Sequence, residues 1–325
     1  MADITLQDIY RARRRIAPIA SKTPLLESPA ISSAVGASVF LKPELLQQTG
    51  SFKIRGAANK ILSLSAAERE LGVITASTGN HGRAVAYVAH QLGVQATVCL
   101  SEAVPENKVA ALRNLGADVV IHGHSQDDSF RKAQELRQKQ GLVFVPPFDD
   151  GLIIAGQGTI GLELIEDLPD VETVLVPVSG GGLISGIAKA LKSASPEIMV
   201  IGVSMERSPV MYHSLRAGKP LEMEEKHTLA DSLRGGIGLD NRHTFSMLQK
   251  YVDGIVLVSE EQIAAAMSLV FYEHHFVLEG AGAVGIAALL SEKAKISGKK
   301  VVVLLSGGNV DLPTFLQIIE RRRSE

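Results

Sequence analysis

The apolar positions of the chain fall into short runs that recur along its whole length. Runs rich in β-branched residues predict strands at 38–42 (SVFLK), 72–77 (GVITAS), 95–100 (QATVCL), 117–121 (ADVVI), 142–146 (LVFVP), 173–178 (TVLVPV), 198–204 (IMVIGVS), 254–258 (GIVLV) and 300–305 (KVVVLL). Several are apolar almost without a break, the pattern of parallel strands covered on both faces. Between them, helical patterns occupy 80–92, 106–115, 126–140, 183–194, 260–271 and 281–293. The opening stretch, MADITLQDIYRARRRIAPIA, is amphipathic, with Ile9, Ile16 and Ile19 on one side of a helix. Strand and helix in alternation predict an α/β, doubly wound architecture.

At 325 residues the chain exceeds the size at which one core usually stops growing, so two lobes are expected. PPFDDG (146–151) is turn-rich and suits a boundary, and the charged, glycine-studded segment 216–243 reads as a long functional loop. Composition is that of an ordinary globular protein. The 33 basic and 35 acidic side chains leave a net charge of -2, which gives nucleic acid or an anionic membrane surface nothing to hold. No uncharged apolar run reaches the ~18 residues of a membrane span. Asp3 and Asp8 among the first arginines argue against a targeting peptide. The single cysteine, Cys99, sits in an apolar run and reads as a buried thiol, consistent with a reducing cytoplasm.

Glycine clusters mark the candidate chemistry. GQGTIG (156–161) matches a dinucleotide fingerprint, but it lies far along the chain and lacks the acidic residue that should follow. A small-residue helix start packed close to another element is the alternative. VLVPVSGGGLISG is better placed: a strand, then Ser179, Gly180, Gly181 and Gly182, then a helix from about Leu183. Free N–H groups at such a helix start suit a phosphate, and the absence of a lysine in the loop excludes a Walker site. In ITASTGNHG, Ser77, Thr78, Gly79, Asn80 and His81 could meet a carboxylate at a helix start, or Asn80 or Thr78 could simply cap that helix. A third loop, Ser306 to Asn309, follows the last strand. Three loops at strand ends imply one crevice. GSFKIRGAANK (50–60) places Lys53 directly after Phe52; the residues alone leave it either a solvated helix charge or a buried amine.

SFKIRGA, STGNHG, AGQGT, SGGGL and SGGN, in this order and spacing, resemble the fold-type II pyridoxal-phosphate enzymes, most closely the threonine/serine dehydratase and serine racemase family. The resemblance spans essentially the whole chain, including the leading helix and Thr-Pro-Leu turn. It implies pyridoxal 5'-phosphate as cofactor, a large lobe from 1–47 and 149–325, a small mobile lobe from 48–148, no C-terminal regulatory domain, and a homodimer acting on a small amino acid. Lys53 matches the lysine that forms the Schiff base with the cofactor and then takes the substrate α-proton. Phe52 matches the residue packed beside the ring and Asn80 the partner of its phenolic oxygen. Ser179, Gly180, Gly181, Gly182 and Leu183 match the phosphate loop, with Ser179 in place of the commoner glycine. Ser306 matches the residue facing the pyridine nitrogen, where a neutral hydroxyl weakens the electron sink and favours prompt loss of a β-hydroxyl. Ser77, Thr78, Gly79 and His81 resemble the element that receives the substrate carboxylate.

Three departures qualify the resemblance. Serine racemases carry a second acid/base serine where this chain has Thr78, so dehydration is expected over racemisation. Their metal carboxylates align with Ser204, Ser208 and Val210, and Glu206 alone makes no calcium or magnesium site, so no metal is expected. Glu273, His274, His275 and Glu279 read as solvated or packed helix residues. The loop DSLRGGIGLDNRHTF is the least typical part: Arg234 could bind a second carboxylate, as in a 3-hydroxyaspartate dehydratase, and the loop is similar to that of a dehydratase subgroup associated with hydroxyectoine breakdown. A racemase, a sensor that no longer turns over, and a nicotinamide enzyme built on GQGTIG are the competing readings.

Overall fold

Each of the nine predicted strands forms in the computed structural model, which describes residues 4–77, 79–104, 106–296 and 298–323. In chain order the strands are β1 (Leu26–Glu27), β2 (Ser38–Pro43), β3 (Val73–Thr75), β4 (Ala96–Leu100), β5 (Asp118–Ile121), β6 (Val143–Phe144), β7 (Thr173–Pro177), β8 (Met199–Met205), β9 (Gly254–Val258) and β10 (Lys300–Leu305). The two residues of β1 are too few to carry a pattern. A larger sheet runs β1-β2-β10-β7-β8-β9 and a smaller one β5-β4-β3-β6. Only β1 is antiparallel to its neighbour; the other pairings are parallel. The small sheet is built entirely from chain between β2 and β7 of the large one.

Central strands explain the unbroken apolar runs. Along β10, Val301, Val303 and Leu305 pack with Ala283, Val284 and Ile286 of the helix Gly280–Leu290. Val302 and Leu304 face the other way, into a core with Ile184, Ile187 and Leu191 of the helix Gly182–Ala194. One strand thus feeds two cores, and alternation between apolar and polar has no place in it. The amphipathic reading of the chain start holds over Leu6–Ile16, where Thr5 and Asp8 form a capping box and Ile9 and Ile16 are buried. Cys99 is fully buried, and burial pushes its thiol up to about 11, which leaves it inert as expected. No helix among the described residues is long and apolar enough to cross a membrane.

GQGTIG is neither a strand-to-helix turn nor a helix start. It lies inside the buried helix Gly151–Asp167, and its glycines are contact points. A Cβ on Gly156 would come within 2.7 Å of Gly56 Cα, and one on Gly158 within 2.9 Å of the Gly186 carbonyl. This helix therefore packs backbone to backbone against both the helix Lys53–Leu62 and the helix Gly182–Ala194. A buried ion network fixes the same junction. Arg55 reaches Glu44 at 2.7 Å and Glu163 at 2.5 Å, and Lys42 reaches Glu163 at 2.7 Å. Segment 216–243 is a long loop as expected, with the single 3-10 turn Asp231–Leu233 between the helices Val210–Ala217 and Thr244–Tyr251.

Candidate active site

The chain ahead of Lys53 is paired with the end of β10 through backbone alone. Phe52 N–H donates to the Ser306 carbonyl at 3.1 Å, Gly308 N–H donates to the Gly50 carbonyl at 2.9 Å, and Ser51 bridges Gly307. Gly50 takes φ +73°, and a Cβ there would lie 2.7 Å from Asn309 Oδ1, so only glycine fits. Lys53 and the buried Ser306 are thereby set relative to each other without help from any side chain.

Lys53 opens the helix Lys53–Leu62. Its Nζ donates to the Pro147 carbonyl at 2.7 Å and lies 5.2 Å from the centre of the Phe52 ring. Burial lowers the ammonium to about 8, against the opposing charge of Glu279. His81 is buried and pairs its Nε2 with the Val145 carbonyl at 2.9 Å. Burial, with the Lys53 charge adding to it, drops the imidazole to about 3, so it stays neutral. One of its two ring nitrogens thus serves the backbone after β6.

After β7 come the half-buried Ser179 and the buried Gly180, Gly181 and Gly182. Gly181 is the N-cap of the next helix, with φ +86°, and the first intrahelical bond runs from Ser185 N–H to the Gly181 carbonyl. The N–H groups of Gly182, Leu183 and Ile184 consequently emerge at the helix end without a partner in the helix. Phe148 packs against the loop: its ring lies where a Cβ on Gly180 would go, and its Cα is 2.9 Å from one on Gly182. The glycines thus serve a close approach as well as an open helix end.

Asn80 caps nothing; Gly79 is the N-cap of the helix Asn80–Gln91. The Asn80 amide instead joins three elements. Its Nδ2 donates to Glu279 Oε1 at 2.9 Å and Oε2 at 3.0 Å, and its Oδ1 accepts from Asn309 Nδ2 at 2.7 Å. Ser232 Oγ is 3.5 Å from the same Nδ2. Glu279, expected as a packed or solvated helix residue, is in fact a buried carboxyl in the cleft and was missed. The sequence signal for it was a lone charge opening the otherwise apolar helix Gly280–Leu290, which its side chain does not cap. His274 pairs with Ser28 Oγ at 2.8 Å, and His275 ends the helix Glu260–His274 in a left-handed conformation, both structural uses. Ser77 is half-buried, and Thr78 lies outside the described residues. Arg234 pairs with Glu225 at 3.7 Å and lines a recess with Met205, Arg207 and Met223, which none of the other predicted site residues lines. Among the described residues no cluster of three or more His, Cys, Asp or Glu could hold a metal ion.

A family profile for pyridoxal-phosphate dependent enzymes matches residues 16–307. The chain belongs to this family. Its cofactor is pyridoxal phosphate. Among curated relatives, the L-threonine ammonia-lyase of Thermotoga maritima is 48% identical over 98% of this chain and 79% of its own length. The catabolic L-threonine dehydratase of Escherichia coli K12 is 43% identical over 97% of this chain and 96% of its own. Among solved structures, maize serine racemase superposes with a TM-score of 0.92 at 35% identity, covering 99% of this chain and 98% of its own.

The residues present fit such a cofactor. The helix end behind Ser179 offers free N–H groups to a phosphate. Asn80 Nδ2 lies 2.9 and 3.0 Å from the two Glu279 oxygens and 3.5 Å from Ser232 Oγ, and such an amide can donate to a cofactor oxygen. Ser51 Oγ and Ser185 Oγ are buried without a hydrogen-bond partner, one two residues before Lys53 and one in the first turn after the glycine loop. Orphaned hydroxyls of this kind are costly unless a ligand meets them.

Proposed function

We propose that this pyridoxal-phosphate-dependent enzyme is a dehydratase and ammonia-lyase that eliminates water from a small hydroxy-amino acid of the threonine/serine type, giving a keto acid and ammonia. The observation that carries the reading is Lys53: an amine lowered to about 8 by burial and tied through backbone to the end of β10. The relatives named for threonine dehydration, at 48% and 43% identity, support the same reaction.

When bound, pyridoxal phosphate supplies an electron-withdrawing ring joined to the substrate nitrogen, which acidifies the α-hydrogen. The chain's own residues do the rest. Ser179–Leu183 hold the phosphate at the helix end. Phe52 packs beside the ring, Asn80 donates to the phenolic oxygen, and Ser306 offers the ring nitrogen a neutral hydroxyl. Lys53, able to shed its proton near neutrality, takes the hydrogen from the substrate Cα. Ser77, Gly79 and Thr78 receive the substrate carboxylate, and the small sheet closes over it as a mobile lobe spanning 48–148. The homodimer implied by the resemblance and the cytoplasmic setting read from the single buried cysteine belong to the same reading.

Keto-acid release by purified protein supplied with pyridoxal phosphate tests this. The panel holds L-serine, L-threonine, both 3-hydroxyaspartate diastereomers and amino acids from hydroxyectoine breakdown. Fast release from one of them, abolished in Lys53→Ala, is expected. Formation of the D-enantiomer without keto acid would make racemisation the reaction instead.

A further inference from the structure

Glu279 carries a role that none of the motif residues accounts for. We propose that it is a positioning residue: its carboxylate grips the Asn80 amide, so the cleft holds the cofactor's phenolic oxygen well only while Glu279 is ionised. The inference rests on the assignment of Asn80 made above.

The geometry fixes the amide's sense. Asn309 Nδ2 donates to the Thr49 carbonyl at 2.8 Å and to Asn80 Oδ1 at 2.7 Å. The Nδ2 end of Asn80 must then face Glu279, where it reaches both carboxylate oxygens, at 2.9 and 3.0 Å. The remaining groups against Glu279 are the Ser232 hydroxyl and the Asn309 backbone N–H. Two of these three neighbours can only donate, and an ionised carboxylate accepts from all of them. A protonated one sets its own O–H among donors, loosens the grip on Asn80 and frees the amide to turn.

Burial makes that proton easy to gain. Glu279 is 3% exposed and N-terminal to an apolar helix. Burial raises its carboxyl to about 7 against the hydrogen bond from Asn80, Asp231 adds to the rise, and Ser232 and the Asn309 N–H oppose it. Lys53 faces it with the opposite charge, and His81, beside Asn80, is neutral. The grip therefore loosens as pH falls through neutrality.

Pyridoxine 5'-phosphate has the phenolic oxygen and the phosphate but no aldehyde, so Lys53 does not react with it, and its binding reads the positioning alone. Calorimetric affinities for the full chain at pH 8 and pH 6 are compared with those of Glu279→Gln, which is isosteric and neutral at both. The drop in affinity from pH 8 to pH 6 is expected to be about tenfold larger for wild type than for the variant, in which only the ligand and Lys53, common to both proteins, still titrate. At pH 8 the variant is expected to bind about tenfold more weakly than wild type, matching the protonated form. Equal drops in the two proteins overturn the inference and leave the dehydratase reading standing. Failure of wild type to bind at either pH removes both. Should the variant not fold, Ser232→Ala replaces it: loss of a donor must move the wild-type binding midpoint to higher pH, and an unmoved midpoint overturns the proposal.

Discussion

Lys53 spends stability to be reactive. Its fall from 10.5 to about 8 means that the unfolded chain binds more protons between those values, so folding is penalised below pH 8 and the penalty fades as pH rises towards 10.5. Lys53→Met should therefore stabilise the cofactor-free protein by about 2 kcal/mol at pH 7, allowing for partial exposure, with the gain shrinking towards pH 10 in urea titrations. The sequence made this lysine only a candidate, since a lysine at a helix start is ordinary; the family motifs around it settled the role to expect. Glu279 was illegible for a different reason. Its partner Asn80 lies 199 residues away, and nothing local marks a contact of that span.

Strands were the most legible elements, because β-branched runs between helical patterns leave few other readings. Short pieces such as β1 and the helix Pro29–Val35 escaped, being too brief to show a period. The glycines of the helix Gly151–Asp167 misled in another way: a spacing known from phosphate loops arose here from helix packing. Their cost can be measured. Gly158→Ala would place a Cβ 2.8 Å from Ile9 Cδ1 and 2.9 Å from the Gly186 carbonyl, and should cost about 1–3 kcal/mol by thermal unfolding. Gly254→Ala, which meets nothing within 4 Å, should change stability by less than about 0.5 kcal/mol.

Across the whole molecule, buried charge joins what the sheets keep apart. Lys42 of β2, Glu44 after it, Arg55 of the lysine-bearing helix and Glu163 of the helix Gly151–Asp167 are all buried, two charges of each sign. Each reads in sequence as an ordinary surface charge, so their pairing was invisible there. Burial alone would raise the Glu44 carboxyl, but the Arg55 charge and hydrogen bond outweigh it and hold the carboxyl low. That part of the stability is present at neutral pH and lost as acid protonates Glu44. Arg55→Met leaves the buried Glu44 carboxylate without its ion-pair partner, while Glu163 keeps Lys42, and should cost about 3–5 kcal/mol in denaturant titrations, with little relief from added salt.

The helix Gly151–Asp167 has a consequence for how this protein can change. Both the helix that carries Lys53 and the helix behind the glycine loop rest on it, whereas segment 216–243 hangs between helix ends with one 3-10 turn. A mutational library confined to that segment, sparing Asp231 and Ser232 beside Glu279 and Asn80 and the buried Thr228, Ala230, Leu233 and Ile237, should keep its folded fraction high while exploring new substrate side chains. The same number of changes spread over 151–167 should leave few folded members. Evolvability here is divided by geometry, with a rigid seat for the cofactor and a pliable border for the substrate.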